Sequence, residues 1–273
     1  MKKAKVLFVS QEIMPFVDET PIGRVTRILP QLTQEMGREI RTFMPRYGNI
    51  NERRNNLHEV IRLSGMNIVI NDVDNPLIIK VASIPKARMQ VYFIDNDDYF
   101  KRKFKLRDAN GQFFEDNDDR IIFYSRGVLE TIKQLKWSPD IISIHGWMAS
   151  LVPLYLKTMY KDNTLFSFAK IVTTLYDDDF QEKFREEWID KLKYDGIEDE
   201  KLNYLVNRDY LALMKTAIDN SDAMVIGSPS INKELEDYAR QTGKPILEYH
   251  NDEEYVQAYN EFFDELLGDD FDE

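Results

Sequence analysis

The chain contains no cysteine. A disulfide framework, a thiolate zinc site and a thiol nucleophile are therefore all excluded, and a reducing cytoplasm is the compartment this usage leads us to expect. Histidine is scarce as well, with three residues, His58, His145 and His250, far apart in sequence. Positive charge is in deficit. Thirty-six Lys and Arg face 48 Asp and Glu, a formal net charge of -12 that repels nucleic-acid phosphates and anionic membrane surfaces alike. No apolar run approaches the roughly 20 residues of a membrane-spanning helix. Lys2, Lys3 and Lys5 ahead of Val6-Leu7-Phe8-Val9 imitate a signal peptide, but Ser10, Gln11 and Glu12 cut that run short, so it reads as a buried strand. Neither nucleic acid nor membrane is expected as a partner, and no cofactor is implied.

What is present is enough apolar material, 43% of 273 residues, for one sizeable core. Short Val/Ile-rich runs alternate with segments of helical period, the rhythm of a mainly parallel sheet with helices on both faces. The spacing predicts strand Lys5 to Val9, helix Ile22 to Met36 stopped by Gly37, and strand Glu39 to Met44 closed by Pro45. Val60-Ile61, Ile68 to Ile70 and Leu77 to Val81 suggest an antiparallel excursion. The rhythm resumes with strand Val91 to Ile94, helix Asp119 to Lys136, strand Asp140 to Ile144 and helix Ala149 to Tyr160. Strands Ile171 to Leu175 and Ala223 to Ile226 follow. Asp177 to Asp199 reads as a solvated helix and loop. After Gly243-Lys244, a short strand Pro245 to Tyr249 precedes a helix begun by Asn251 and Glu254 and stopped by Gly268. Tyr255, Tyr259, Phe262, Phe263 and Leu266 give that helix an apolar stripe that must be buried. The expected organisation is a domain over 1–242, a strand and helix over 243–267 packed on it, and an acidic tail over 268–273.

In an open α/β sheet, ligands bind beyond the carboxyl ends of the strands. The loop Ser10 to Gly23 occupies such a place, yet Asp18, Glu19, Thr20 and Pro21 with the single Gly23 make a poor phosphate cradle. Glycines and a cation are missing, and Pro21 has no amide hydrogen. His145 ends a strand at a switch-point position, where an imidazole either hydrogen-bonds a sugar hydroxyl and moves a proton or simply satisfies its own core neighbours. Asp177-Asp178-Asp179 invites a hard-metal reading, but consecutive carboxylates rarely converge on one ion. A cluster at a helix N-terminus is the preferred account, and no metal is expected. Trp137, Trp147 and Trp188 can stack on sugars, with core packing the default.

The words of the chain carry a resemblance. Lys5-Val6-Leu7-Phe8-Val9 with Glu12 and Pro15-Phe16, then Met44-Pro45-Arg46-Tyr47-Gly48, resembles the start of bacterial glycogen synthases and plant starch synthases. Val91-Tyr92-Phe93-Ile94-Asp95-Asn96, Asn117-Asp118-Asp119-Arg120, Trp137-Ser138-Pro139-Asp140, His145-Gly146-Trp147 and Ser228-Pro229 follow in the same order. The resemblance implies one Rossmann-like half of a GT-B fold, glycosyltransferase family 5, and retaining transfer of glucose from ADP-glucose to an α-1,4-glucan. It also implies candidate substrate contacts at Gly23, Arg46, Tyr47, Asp95, His145 and Trp147, with His145 the inherited catalytic position. The likeness extends to about Leu235 and covers the N-terminal half, so a chain without the nucleotide-holding half is expected.

The departures are specific. The family's Lys-x-Gly-Gly-Leu loop falls on Asp18-Glu19-Thr20-Pro21-Ile22, replacing a cation by an anion. At an effective dielectric near 20, such a charge 4 Å from a phosphate is worth about 4 kcal/mol before screening. The family's His-Asp-Trp-His reads His145-Gly146-Trp147-Met148, and its Thr-Ile-His-Asn reads Thr174-Leu175-Tyr176-Asp177. Two readings stay open: a glucosyltransferase of the synthase family completed by a separate chain that supplies the nucleotide-holding half, and a degenerate pseudoenzyme, inactive as an isolated chain, that binds glucan or a protein. The departures favour the second. Its expected partners are an α-glucan or maltooligosaccharide, or a second protein chain.

Overall fold

Val, Ile and Phe runs too short for helices pair edge to edge, and the segments between them coil back over the sheet. In the computed structural model, which describes residues 3–268, this produces β1 (Lys5–Ser10), α1 (Pro21–Glu35), β2 (Glu39–Pro45), β3 (His58–Glu59), β4 (Met66–Ile70), β5 (Val73–Ile84) and β6 (Met89–Asp95). Then follow α2 (Asp97–Phe100), α3 (Asn117–Leu135), β7 (Ile141–His145), α4 (Val152–Lys157), β8 (Lys170–Leu175) and α5 (Trp188–Tyr194). The chain continues with α6 (Tyr210–Asn220), β9 (Ala223–Ile226), α7 (Lys233–Gln241), β10 (Ile246–Leu247) and α8 (Tyr255–Leu267).

Among the described residues the strands form a ten-stranded sheet in the order β10-β9-β8-β7-β1-β2-β6-β5-β3, with β4 paired on β5. From β10 to β6 the pairs are parallel, and β5 turns antiparallel against β6. The chain leaves β1 toward β2 on one side and later returns to place β7 on the other, so the topological switch point lies between β1 and β7. Successive strand residues face opposite sides. Phe8, His145 and Thr174 point toward α8, while Ile94 lies under Gly127 of α3, where a Cβ would come within 2.9 Å of its side chain. Helices α3, α4, α6 and α7 form a contiguous layer on the second face, and α8 lies beside α1 on the first.

Local chemistry explains most boundaries. Thr20 caps α1 by accepting the Gly23 amide at 2.9 Å, with Pro21 in the first helical position, where no amide hydrogen is needed. The left-handed Lys136 ends α3. Several expectations need correction. Ile61 begins a 3₁₀ turn, not a strand, because β3 ends at Glu59. The helix expected over Ala149 to Tyr160 is a 3₁₀ turn at Trp147–Ala149 followed by the short α4. Asn251 does not cap α8. Its side-chain oxygen accepts the Glu253 amide at 2.9 Å in a turn, and the helix begins one turn later at Tyr255. Asp177 to Asp199 is not a purely solvated stretch, since Phe180, Phe184, Trp188 and Leu192 are buried and α5 starts only at Trp188. Helices α6 and α7 lay outside the sequence reading. The terminal acidic tail lies outside the described residues beyond Gly268.

Candidate functional site

The carboxyl ends of β8, β9 and β10 open into a cleft of about 690 Å³ bounded by the start of α1, the loop 248–254 and the first turn of α8. Its walls are aromatic and polar together: Tyr176, Tyr249, Tyr255 and Tyr259 alternate with Ser228 and His250. Arg24 closes one rim by pairing with Glu19 at 2.9 Å and Asp252 at 3.2 Å. Tyr249 stands 43% exposed.

His145 lies beneath this cleft. It is the last residue of β7 and has no exposed surface. One ring nitrogen meets the Ser143 hydroxyl at 2.9 Å and the other the Tyr176 hydroxyl at 2.8 Å. The Tyr259 ring of α8 stacks on it, with centroids 6.2 Å apart and planes 27° apart, and Phe8 packs on another side. Burial pushes the imidazole down to a pKa of about 3, so it is neutral in the folded protein. Both nitrogens are occupied by the protein's own hydroxyls, leaving no ring atom for a ligand.

The neighbouring family words behave likewise. Gly146 has φ 85°, and a Cβ there would sit 2.6 Å from that of Gln11, so the backbone at the position where the resemblance implies a carboxylate is here shaped for glycine. The Trp147 ring is enclosed by Phe113, Phe180 and Phe184 at centroid distances of 4.9–6.2 Å, while its amide donates to Asp178 at 3.2 Å. Trp188 packs on Phe184, and Trp137 lies under the Arg41 guanidinium. All three tryptophans are packing residues.

Asp177, Asp178 and Asp179 diverge. Asp177 accepts from Ser230, Asp178 from the Tyr210 hydroxyl at 2.8 Å, and Asp179 from Asn232 at 2.9 Å. Among the described residues no group of three or more His, Asp or Glu is placed to hold a metal ion. The helix-terminus account of this run also fails, because α5 starts at Trp188, nine residues beyond Asp179. Burial lifts the Asp178 carboxyl to a pKa of about 6 against the opposing bonds from Tyr210 and Trp147.

Gly23 sits inside the first turn of α1, where a Cβ would stand 3.0 Å from the capping Thr20 oxygen. That cap is locked from below. The Thr20 hydroxyl donates to the buried Glu12 carboxylate, which also holds Lys105 at 2.6 Å. Arg46 and Asp95, at the carboxyl ends of β2 and β6, pair at 3.1 Å in a cluster completed by Lys80 and Glu52. Tyr47 is buried between Arg120 and Phe100. The six candidate contacts thus occupy one end of the sheet but not one site. Arg46, Tyr47 and Asp95 are gathered beyond β2 and β6, His145 and Trp147 beyond β7, and Gly23 at the head of α1. The sequence reading missed the cleft itself, because Tyr249 to Tyr255 follow the last family word and Tyr176 departs from one.

An open doubly wound sheet with its cleft beyond the carboxyl ends defines the Rossmann-like α/β class from which GT-B glycosyltransferases build each half. Residues 5–247 match the starch synthase catalytic domain family, and the chain belongs to that family. It is 43% identical over 173 residues to a glycogen synthase of Chlorobium limicola, covering 63% of this chain and 35% of that protein. It is 35% identical over 236 residues to one of Chlorobaculum parvum, covering 85% and 47%. The catalytic domain of starch synthase IV from Arabidopsis thaliana, solved bound to ADP and acarbose, superposes with a TM-score of 0.74 at 19% identity over 92% of this chain and 52% of that one. The chain therefore spans about half or less of the length of the relatives it matches. No helix among the described residues is long and apolar enough to cross a membrane.

Proposed function

We propose that this chain is a synthase-family member whose own residues no longer support glucosyl transfer and that it binds α-glucan in the carboxyl-end cleft. The observation that carries the first part is His145, buried, neutral and bonded through both nitrogens beneath α8. An imidazole so placed neither reaches a sugar hydroxyl nor exchanges a proton with one. The donor loop adds to this. Asp18 is exposed where the family has a cation, Pro21 offers no amide, and the Thr20 hydroxyl is spent on Glu12.

The binding part is supported by the cleft's composition. Tyr249 offers a ring on which a sugar face stacks, and Ser228 and His250 supply donors and acceptors for hydroxyls. ADP-glucose has no cationic loop to meet here. A second reading, docking of a separate protein chain, rests on the exposed Phe168 and Met159 in the loop between α4 and β8.

The test is calorimetry of the purified chain with maltoheptaose and with ADP-glucose, alongside a transfer assay with both. Maltoheptaose binding that weakens with Tyr249→Ala, without ADP-glucose binding or turnover above a protein-free blank, is the expected result. Turnover, or tight nucleotide-sugar binding, overturns the loss of transfer; absence of maltoheptaose binding overturns the glucan assignment.

A further inference from the structure

At the opposite end of the sheet, where β2 and β6 begin, a second recess of about 630 Å³ is lined by Lys3, Arg38, Arg41 and Arg88, with Gln34, Gln90, Ser83 and Tyr92 among its polar walls. Four cations converge there on a chain whose net charge is -12. The carboxylates nearby answer only part of that charge. Glu39 receives the Trp137 indole hydrogen at 2.7 Å and lies 3.4 Å from Arg41, and Asp264 of α8 pairs with Arg38. Among the described residues, the side chains of Lys3 and Arg88 have no hydrogen-bond or ion-pair partner.

Two further atoms are unusual. Arg41 Nε is a buried donor without a partner, and Gln34 Oε1 is a buried acceptor without one. Leaving a buried polar group unpaired costs about 1–3 kcal/mol, more when it is charged. The Arg41 guanidinium is held in place by the Trp137 ring, 5.3 Å from its centroid, and by donation to the Ile40 carbonyl at 2.9 Å. It is thus a fixed fork and not a free surface side chain.

We propose that this recess is a binding site for a small phosphorylated metabolite. Arg41 and Arg88 supply guanidiniums for the phosphate oxygens, and Lys3 adds a compact ammonium. Gln34, Ser83 and Gln90 face the remainder of the ligand with amide and hydroxyl groups suited to a polyol. A phosphate suits this recess better than a lone carboxylate, because it spreads up to two negative charges over three oxygens against more than one uncompensated cation. The site lies at the amino ends of the parallel strands, remote from the carboxyl-end cleft, and does not depend on what that cleft binds.

Inorganic phosphate is the probe. Titrated into the full chain at constant ionic strength, with sodium chloride as the matched control, it is expected to change Trp137 fluorescence saturably and to register in calorimetry. The double variant Lys3→Gln/Arg88→Gln, both positions exposed, is expected to weaken binding by about ten-fold or more with an unchanged melting temperature in phosphate-free buffer. Lys103→Gln, a surface lysine elsewhere, is expected to leave it unchanged. A linear, non-saturating response, a response matched by chloride, or equal weakening by the Lys103 variant each overturns the proposal. Should the double variant lower the melting temperature without phosphate, Arg41→Lys provides the second arm. Losing the fork while keeping the charge is expected to weaken phosphate binding, and no weakening overturns the site.

Discussion

Gly146 falls where the resemblance to the synthases implies an aspartate, and its backbone lies at φ 85° with Gln11 pressed against the place a Cβ would take. The Gln11 amide oxygen in turn accepts the Met148 amide hydrogen at 3.1 Å. Reinstating the carboxylate is therefore not a repair. Gly146→Asp is expected to cost about 2–4 kcal/mol through positive-φ strain and the displaced Gln11, seen as a lowered denaturation midpoint, with no gain in transfer. A variant as stable as the parent would show that the loop moves freely.

His145 and Asp178 have opposite linkages to pH. The folded His145 pKa of about 3 lies below the ordinary 6.5, so the unfolded chain binds the proton more readily. Its contribution is complete above pH 6.5 and is lost as pH falls toward 3. The folded Asp178 pKa of about 6 lies above the ordinary 3.8, so its contribution is present below 3.8 and is lost as pH rises to 6. Between these limits the two trends offset each other. Asp178→Asn removes only the second. Relative to the parent, the variant should gain stability from pH 4 to about pH 6 and level off above that, measured by chemical denaturation at each pH. A pH-independent difference would mean that Asp178 is ionised throughout.

At the scale of elements, α8 decides how the first face of the sheet is finished. Its stripe buries Tyr255, Val256, Tyr259, Phe262 and Phe263, and Asn260 and Asp264 receive the Arg38 guanidinium. Each large apolar side chain so buried is worth about 1.5–3 kcal/mol, against a typical domain stability of about 5–15 kcal/mol. Phe263→Ala is expected to cost about 3–5 kcal/mol, since Phe263 is fully buried between Phe8 and Tyr259. Deleting residues 251–273 is expected to lower the melting temperature sharply or leave the protein insoluble. A deletion that remains monomeric with an unchanged melting temperature would make α8 a detachable arm.

The stripe of α8 was legible because Tyr and Phe recur at spacings of three and four. The parallel strands were legible because buried strands are continuous Val/Ile runs. Other features were not. In α7 only Leu235 and Ala239 are buried, so its pattern is nearly all polar, and in α6 Tyr210, Ala212, Leu213 and Met214 are buried almost in succession, which blurs a helical period. The burial of His145 was hidden because its seal comes from Tyr259, 114 positions away. Spacing reports neighbours along an element and carries no record of which distant element lies on top.

On the whole molecule, charge is distributed so that the two ends of the sheet select different chemistry. At the carboxyl end, Glu248, Asp252 and Glu253 line a cleft whose single cation among the described residues, Arg24, is already paired with Glu19 and Asp252, so that rings, neutral polar groups and carboxylates face a ligand and no free cation does. At the amino end, Lys3, Arg38, Arg41 and Arg88 gather with Glu39 alone among the described acidic residues, a recess where basic residues outnumber acidic ones four to one. A neutral glucan releases no counterions on binding, whereas a phosphate held by exposed cations is screened within a Debye length of about 10 Å at 0.1 M salt. Maltoheptaose affinity should therefore change little between about 0.05 and 0.5 M sodium chloride, while phosphate affinity should fall several-fold over the same range. Since the ligands occupy opposite ends of the strands, saturating phosphate should leave the maltoheptaose isotherm in place. Competition between the two in calorimetry, or a glucan affinity that tracks salt as steeply as the phosphate affinity, would show that both enter through a single charged site and would remove the division of the sheet into two ends.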